Sequence, residues 1–469
     1  MTKRISILHT NDIHGRIEGL ARVATLVAEA REETKHPVLY FDAGDIEETH
    51  TRLSSLTKGV AMHRLLSAAG CNAATIGNGG LLRYSQSILE QYANVVRYPL
   101  FLANFVMPDG SSIAGVQPSG ILEVNGVKLG LIGLTDSFEA YTSFFGMREL
   151  EIIPLVKVLA TDLRSRGADL IIVLSHLGWQ HDEPHADKFN DQMLAKALEN
   201  EIDLIIGAHT HHLLKNGEQI GRVWVAQTGN YAEYLGRIEL EQTENGWAVK
   251  NCSTTAILES VKPSEIILET ERHIEAELET WLSEPLCTLE TDLTHAPSAE
   301  CAAGNLLADA LRDYWNTDIG VCLGLIGFSS GLEAGIITRG AVFERVTSAA
   351  NPARTTMYGW QIIKMLSLGL DAKKAAEKPK HYRGAMRGML HLSGMKRVND
   401  QWFVGSQALM LEQTYTVATS DAEVNFSTSL VQKDWQLEVK YHVDLIMNEV
   451  LEQYMLKHKR IMPENRRIS

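Results

Sequence analysis

Two residues near the start of the chain, Asp12 and His14, have the types and the spacing of a metal site. They follow residues 5–8, a run of mostly branched apolar side chains that predicts a short buried strand. Because alternate side chains of an extended backbone point the same way, the carboxylate and the imidazole could bind one ion together. A hard carboxylate oxygen and an imidazole nitrogen suit a divalent transition metal. Taken alone, the pair fits a polar loop with a hydrogen-bonded histidine better than a metal site.

The same arrangement recurs after four further apolar runs, at residues 38–41, 73–76, 170–174 and 204–206. Open α/β sheets place their ligand sites outside the carboxyl ends of the strands, where such residues would meet. Glycines beside most of them let the backbone turn sharply and approach a ligand closely. One shared metal site therefore explains the pattern better than five unrelated polar strand ends. The polar residues after these four runs are Asp42, Asp45, Asn78, His176, His209 and His211.

The order of these motifs, D-x-H, GD, GN, H and H-x-H, resembles that of the calcineurin-like metallophosphoesterases. The opening ILHTNDIHGRIEG resembles their 5′-nucleotidase branch. The resemblance implies an α/β fold whose N-terminal domain is an αββα sandwich. It also implies two divalent ions, and the mixed nitrogen and oxygen ligands fit Mn, Zn, Fe, Co or Ni. In the implied ligand set Asp45 bridges both ions, Asp12, His14 and His211 complete one, and Asn78, His176 and His209 complete the other.

The resemblance also implies a mechanism. Two-metal phosphoesterases hold their ions ~3.5–4 Å apart, so that the attacking and leaving oxygens are both stabilised. A hydroxide that bridges the ions would attack phosphorus in line, and Asp45, Asn78 and His176 are the predicted catalytic residues. Three neighbouring polar residues are expected to support the ligands or the fold rather than to bind metal: Asp42, His9 and His212.

One position departs from the family pattern, which reads G-N-H-[DE] after the third strand. Here the sequence is GNGGLLRY, so Gly79 replaces the histidine that stabilises the transition state or protonates the leaving group. Gly80 replaces the acidic residue, and Leu82 stands where the nucleotidases carry an aspartate that orients the histidine. Loss of one positioned acid typically costs about 10²–10⁴-fold in rate. Asn78 is kept, so metal binding is expected to survive.

Three explanations of this departure stay open. Another side chain could replace the histidine, and Arg83, His181 and His185 are the candidates. The substrate could instead have a good leaving group that needs no acid. Alternatively, the chain could be a catalytically impaired regulatory protein that binds a metal or a nucleotide. Retained but altered catalysis is the favoured interpretation, because all seven metal ligands are present.

The rest of the sequence predicts how the chain is organised. Residues 20–31 predict an amphipathic helix, and Asn125-Gly126 between two apolar runs predicts a β-hairpin. We predict a dinuclear metallophosphoesterase domain at residues 1–258, a linker helix within 259–290 and a smaller α+β domain at 291–469. That last domain resembles the 5′-nucleotidase C-terminal, substrate-binding domain in its segments 300–316, 387–398 and 413–424.

The C-terminal half departs from its family where nucleotidases bind the substrate. They hold the base between aromatic side chains and the phosphate with arginines from an N-G-G-G-I-R strand, whereas residues 323–335 contain neither Asn nor Arg. A nucleotide substrate therefore rests on the resemblance alone. The candidate aromatics are Phe328, Tyr358 and Trp360, each more often a core residue, and the candidate cations are Arg339, Arg345 and Arg354.

Composition limits the possible partners. The 469 residues carry a formal net charge of −14, which disfavours nucleic acid and anionic membranes as partners. Five scattered cysteines argue against a disulfide framework or a zinc finger. The start of the chain does not resemble a signal peptide and no apolar run could span a membrane, so we expect a cytoplasmic protein.

Together these observations predict an enzyme that hydrolyses a phosphate ester, with a nucleotide or a related small phosphorylated metabolite as the expected substrate. The alternatives are the binding protein described above and a hydrolase of a phosphodiester or of another oxyanion ester.

Overall fold

A computed structural model describes residues 3–182, 185–244, 246–324, 327–346, 348–378, 386–424 and 430–468 of the chain. The chain divides into two units, Met1–Glu275 and Ala276–Ser469. The division falls inside the helix Glu265–Leu282. In this helix Ile267, Ile274, Leu278 and Leu282 are buried, whereas Ile266 is 62% exposed, so the buried apolar stripe of the helix does not include Ile266. The predicted boundaries at residues 258 and 290 stay predictions.

The first unit is built on two six-stranded mixed sheets. Each sheet contains four neighbouring parallel strands, and antiparallel strands are paired at one side of these four in the first sheet and at both sides in the second. The first sheet contains, in spatial order, Gly246–Ala256, Tyr234–Thr243, Arg4–Thr10, Val38–Asp42, Ala73–Thr75 and Leu100–Phe101. The second contains Glu218–Ile220, Val223–Ala226, Leu204–Ile206, Leu170–His176, Val127–Thr135 and Ser119–Val124.

The core of this unit lies between the two sheets. Ile7 and Phe41 from the first sheet and Leu131 and Ile172 from the second are buried in one apolar cluster. A second cluster, which includes Ile132 and Ile205, covers the other face of the second sheet, where the helices pack. Strands that are buried on both faces read as continuous apolar runs, which is the pattern seen in the sequence. The result is the expected αββα sandwich.

Helices and hairpins connect most of these strands. The hairpin of Ser119–Val124 and Val127–Thr135 is confirmed, and Asn125 and Gly126 turn it with φ of 49° and 75°. Both values are positive, as a tight two-residue turn requires. A separate pair joins Phe105–Val106 to Arg148–Glu149. The helices that precede Glu265–Leu282 are Ile17–Glu33, Arg52–Leu56, Val60–Ala68, Asn78–Tyr84, Ile88–Val95, Glu139–Ser143, Ile152–Ser165 and Asp191–Ala197.

The second unit is a smaller α+β domain with three sheets. The main sheet orders Leu390–Ser393, Ile319–Leu323, Thr414–Ser420, Pro352–Tyr358 and Val439–Tyr441. The others are Gly335–Thr338, Pro285–Leu289 and Arg460–Ile461, and Met395–Val398, Gln401–Val404 and Gln407–Ala408. Its helices are Ala302–Trp315, Arg339–Phe343, Gly359–Gly369, Ala372–Ala376, Asp421–Val424 and Met447–His458, with a 3₁₀ turn at Lys433–Trp435. In the described part of the chain, no helix combines the length and apolarity needed to cross a membrane.

One buried carboxyl makes the stability of this unit depend on pH. Burial and the charge of Glu423 raise the pKa of Asp421 to about 7. Because the folded state favours the neutral carboxyl, its stabilising effect is complete at acid pH and is lost as pH rises through about 7. Asp421→Asn keeps an oxygen for the Asn351 N–H, 3.2 Å away, but cannot ionise.

We therefore expect Asp421→Asn to gain stability relative to the wild type between about pH 5 and about pH 8, by a few kcal/mol at most, since one pKa unit is ~1.4 kcal/mol. Urea unfolding of both proteins at the two pH values measures this. Asp400→Asn, at an exposed side chain, is the control. An identical pH dependence of Asp421→Asn and the wild type would contradict the expectation.

Candidate metal centre

The loops that follow two central strands of the first sheet are hydrogen-bonded to each other. The N–H groups of Asp12 and His14 donate to the carbonyls of Gly44 and Asp45, at 2.9 and 3.0 Å. Asp12, His14 and Asp45 have φ of 50°, 47° and 55°. Such left-handed conformations cost residues other than glycine about 1–3 kcal/mol and persist where the surrounding structure enforces them. The loop pairing thus holds three predicted ligands in conformations that they would not otherwise adopt.

The two histidines of the H-x-H motif share this property. His209 and His211 have φ of 73° and 56°. The N–H of His209 donates to Oδ2 of Asp12 at 2.9 Å, which ties the loop of the second sheet to that of the first. Five of the seven predicted ligands therefore have left-handed backbones, and they lie where the two sheets meet at their carboxyl ends.

One group of ligand atoms surrounds Oδ1 of Asp12. The Nε2 atoms of His14 and His211 lie 3.7 and 3.4 Å from this oxygen and 3.1 Å from each other. The three residues could hold a metal ion together, as their ligand atoms all lie within 4.8 Å of one another. This is the first ligand group expected from the sequence, without its bridging aspartate.

A second group contains Asp12, Asp45 and His176. Nε2 of His176 lies 3.4 Å from Oδ2 of Asp45 and 3.8 Å from Oδ1 of Asp12. Nδ1 of His176 lies 2.8 Å from the carbonyl of Ala43, so this nitrogen carries a proton and Nε2 is the atom that a metal ion would bind. The carboxylate common to both groups is Asp12, and the bridging role of Asp45 stays a prediction.

Several buried atoms at this site lack a partner. Among the described residues, Oδ1 of Asp12, Oδ1 of Asn78 and Nε2 of His176 are buried without a hydrogen bond. Their neighbouring atoms are well held: Oδ2 of Asp12 accepts from the Asn11 amide at 2.7 Å, and Oδ1 of Asp45 accepts from the N–H of Gly79 at 2.6 Å. Unpaired buried polar atoms are costly. Their chemistry, two oxygens and an imidazole nitrogen, fits divalent cations.

The electrostatics of the site point the same way. Although burial lowers the pKa of His176, the carboxylates of Asp45 and Asp12 raise it to about 10. Burial likewise opposes ionisation of Asp45, and the charge of His176 keeps its pKa well below the usual range. The site therefore favours a positive charge between these side chains, which a metal ion would supply as well as a proton does.

The two remaining predicted ligands lie beside these groups. Asn78 is the first residue of the helix Asn78–Tyr84, and the next residue donates to Asp45. The ring of His209 lies 5.2 Å from that of His176, measured between centroids. Its Nε2 lies 3.2 Å from Oδ2 of Asp136. All seven predicted ligands therefore come from one region, although the two triads of close ligand atoms contain only five of them.

The expected supporting residues have separate places. Asp42 is buried and accepts hydrogen bonds from Thr10 at 2.6 Å and from the N–H of Gly44 at 3.0 Å, so it braces the loop before Asp45. His9 is packed against Gly236, and burial lowers its pKa to about 3. His212 lies 3.1 Å from the Thr210 hydroxyl.

The residues that contact the ligands and that sequence reasoning missed include Asn11 and Asp136. Asn11 donates to Asp12 and accepts from the N–H and hydroxyl of Thr228 at 2.9 and 2.7 Å. Asp136 contacts His209 and is 3% exposed. The signal for Asp136 was present, because the strand Val127–Thr135 is also followed by an acidic residue.

The glycine pair after Asn78 is closely packed. A Cβ at Gly80 would lie 2.3 Å from the hydroxyl of Tyr92 and 3.0 Å from its ring. That ring is fully buried, stacks on His63 with centroids 4.0 Å apart, and its hydroxyl donates to the Lys58 carbonyl at 2.7 Å. Tyr92 therefore occupies the space that a side chain at position 80 needs. A Cβ at Gly79 would lie 3.1 Å from Oδ1 of Asp45, beside the ligand itself.

We expect Gly80→Ala to destabilise the fold by about 1–3 kcal/mol, because overpacking against the fixed Tyr92 ring outweighs the gain of about 1 kcal/mol in helix propensity. Gly80→Ala in a Tyr92→Phe background should recover part of this loss, since the nearest atom is removed. Chemical denaturation of the four proteins of this double-mutant cycle measures the coupling. Additive effects of the two changes would show that Tyr92 does not set the requirement for glycine.

The candidates for replacing the missing histidine differ in position. Nη1 of Arg83 donates to the Thr49 hydroxyl at 2.7 Å, on the loop that follows Asp45. His181 lies 2.9 Å from the Leu177 carbonyl, and its ring lies 5.7 Å from that of His209. His185 is exposed. Arg83 thus lies beside the loop that follows Asp45, and His181 lies beside His209.

The candidates in the second unit are mostly engaged elsewhere. Phe328 is 3% exposed and belongs to the core, whereas Tyr358 and Trp360 are 45% and 40% exposed. Arg339 is paired with Glu284 and Glu452 at 2.6 and 2.7 Å. Two more candidates, Arg345 and Arg354, are half-buried, and Leu325 and Ile326 of the altered substrate segment lie outside the described residues.

Comparison with known proteins identifies two families in order along the chain. The family described as calcineurin-like phosphoesterase matches residues 5–213, and the 5′-nucleotidase C-terminal domain matches residues 282–425. The uncharacterized metallophosphoesterase YunD of Bacillus subtilis is 25% identical over 421 residues, which are 85% of this chain and 87% of that protein. Snake venom 5′-nucleotidase of Gloydius brevicauda is 26% identical over 460 residues, covering 84% of this chain and 74% of the relative.

A solved structure shows the same fold. The 5′-nucleotidase precursor from Thermus thermophilus aligns with a TM-score of 0.54 at 20% identity, over 99% of each chain. The two families occur in the order that the fold itself has, a metal-site sandwich followed by a smaller α+β domain. The chain therefore belongs to the bidomain 5′-nucleotidase family of the calcineurin-like metallophosphoesterases, which are metal-dependent hydrolases.

Proposed function

We propose that this protein hydrolyses the phosphate ester of a nucleotide or a related small phosphorylated metabolite. The observation that carries the proposal is the set of buried atoms without partners on Asp12, Asn78 and His176, which belong to one site at the strand ends. Residues held in such costly backbone conformations cluster at active sites, ligand clamps and switch regions, which supports a functional site here.

Two divalent ions, of Mn, Zn, Fe, Co or Ni, would be held by the predicted ligands. When bound, they would withdraw charge from the phosphoryl oxygens and make water acidic enough to act as a nucleophile. One ion would be held by Asp12, His14, Asp45 and His211, and the other by Asp45, Asn78, His176 and His209.

The side chains of the protein orient this site. The Nδ1–H group of His176 donates to the Ala43 carbonyl, which keeps Nε2 as the ligand atom. Asn11 fixes one oxygen of Asp12 and leaves the other free. Burial of these groups excludes bulk water, which strengthens their interaction with a charged phosphate.

The first test is hydrolysis by the purified full chain, loaded with Mn²⁺ or Co²⁺, of nucleoside mono-, di- and triphosphates, cyclic nucleotides and an activated aryl phosphate. Asp45→Ala is the blank. We expect turnover that falls at least about 10²-fold in the blank, because the site loses a metal ligand. Asn78→Ala should bind fewer metal ions, as measured by elemental analysis.

The outcomes separate the candidate functions. Nucleotide cleavage that disappears in Asp45→Ala supports the proposal and names the substrate class. Cleavage of the aryl phosphate alone shows that the natural ester has a good leaving group, and cleavage of cyclic nucleotides alone shows a phosphodiesterase. An unchanged metal content in Asn78→Ala would contradict the ligand assignment.

We further propose that Arg83 stabilises the phosphoryl group in place of the missing histidine. It lies four residues after Gly79, on the same face of the helix Asn78–Tyr84. Although burial opposes ionisation of Glu48, its hydrogen bonds to His50 and the charge of Arg83 lower its pKa to about 2. Oε2 of Glu48 lies 3.9 Å from Nδ1 of His14. The guanidinium charge of Arg83 therefore acts on Glu48, which is a neighbour of the predicted ligand His14.

Arg83→Gln should lower kcat/KM for the best substrate about 10²-fold, the usual effect of removing one donor to a transition state. Metal content should not change, since Arg83 is not a ligand. Arg83→Lys should recover part of the loss, and Arg97→Gln, at an exposed position, is the matched control. Full activity of Arg83→Gln would eliminate this role.

A second candidate function is a regulatory protein that binds a metal or a nucleotide without turnover. The observation that favours it is the packing of Tyr92 against Gly80, which leaves the acidic family residue no room. Two bound metals with no turnover of any substrate in the panel would establish this alternative.

A further inference from the structure

Asp136 is a buried acidic residue that lies between two predicted metal ligands. It follows the strand Val127–Thr135 and is 3% exposed. Its N–H donates to the carbonyl of His176 at 3.1 Å. The backbone of Asp136 is therefore fixed at the end of the strand that carries His176, and its side chain reaches the neighbouring His209.

The carboxylate of Asp136 has three partners. Oδ2 lies 3.2 Å from Nε2 of His209 and accepts a hydrogen bond from the ammonium group of Lys188. Oδ1 accepts from the N–H of Ser137 at 2.8 Å. Lys188 also donates to the Ser137 carbonyl at 3.2 Å and lies over the ring of Phe138, 4.8 Å from its centre. The carboxylate is held in place from both sides.

This arrangement decides which nitrogen of His209 is available. A carboxylate next to Nε2 favours the tautomer with its proton on Nε2, and the lone pair is then on Nδ1. The N–H of His209 is bound to Oδ2 of Asp12, so the ring is anchored beside the ligand groups. Histidines that bind metals usually donate their other N–H to a carboxylate or a carbonyl, and loss of that partner typically costs about 10–100-fold in metal affinity.

We propose that Asp136 is a positioning residue that holds His209 with Nδ1 turned to the second metal ion, and that Lys188 in turn holds the carboxylate. The inference rests on the proposed two-metal function. It adds Asp136 to residues such as Asn11 that hold a predicted ligand by a hydrogen bond, and Asp136 itself is not a predicted ligand.

The test uses the metal-free full chain and three variants, Asp136→Ala, Asp136→Asn and Lys188→Met. Asp203→Asn is the matched control, because Asp203 also pairs with a cation, Arg164, at 2.5 Å, but it precedes the strand Leu204–Ile206 at the end away from His209. Titration with Mn²⁺ in a calorimeter gives the number of ions and the affinity for each.

We expect Asp136→Ala to lower the affinity for one of the two ions about 10–100-fold and to leave the affinity for the other unchanged. Asp136→Asn, which keeps an acceptor oxygen, and Lys188→Met should lose less affinity for this ion than Asp136→Ala does. The control should bind both ions as the wild type does. Wild-type affinity of both ions in Asp136→Ala would overturn the proposal.

A second readout does not depend on metal. Nitrogen NMR of the histidine rings in the metal-free protein reports which nitrogen carries the proton. The wild type should show His209 protonated on Nε2, assigned by its absence in His209→Gln, and Asp136→Ala should lose this preference. A His209 protonated on Nδ1 in the wild type would refute the positioning role. If the wild type bound fewer than two ions, the proposed function would fail, while this measurement would still decide the contact between Asp136 and His209.

Discussion

The site depends on the burial of two carboxylates whose negative charge the protein only partly compensates. Asp12 is fully buried and Asp45 nearly so, and one oxygen of Asp12 has no hydrogen bond among the described residues. An unpaired buried charge is destabilising by several kcal/mol. The fold tolerates it because the loops are held by bonds between their backbones and by the large core between the sheets. A cation converts this cost into binding affinity.

Much of the first unit could be predicted because its signals are local. The strands Val38–Asp42 and Leu204–Ile206 are short apolar runs that end in or precede polar residues. The first is parallel to Arg4–Thr10 and the second to Leu170–His176, so the polar residues at the ends of each pair come together. What could not be predicted was the direction in which each side chain points. His209 and Asp12 are 197 positions apart, and only the folded backbone shows that they are bonded.

The glycine pair shows a different limit of sequence reasoning. Compared with the family pattern, Gly79 and Gly80 look like the loss of two functional side chains. In the structure, Gly80 packs against Tyr92, and Tyr92 in turn stacks on His63. The substitution is therefore one part of a packed group whose members are distant in sequence, and the pattern of a single motif could not reveal it. The exposed Tyr358 and Trp360 were likewise unpredictable, since an aromatic residue fits a core equally well in sequence.

The strand Arg4–Thr10 lies between Val38–Asp42, which is close in sequence, and Tyr234–Thr243, which is more than 200 residues away. The N–H of Tyr231 donates to the carbonyl of Asp12 at 2.8 Å. During synthesis the earliest residues of the site must therefore wait until almost the whole first unit has left the ribosome. Because contacts so distant along the chain form slowly, the nascent protein exposes an unpaired strand edge for that time, and its metal site can be completed only at the end of domain folding.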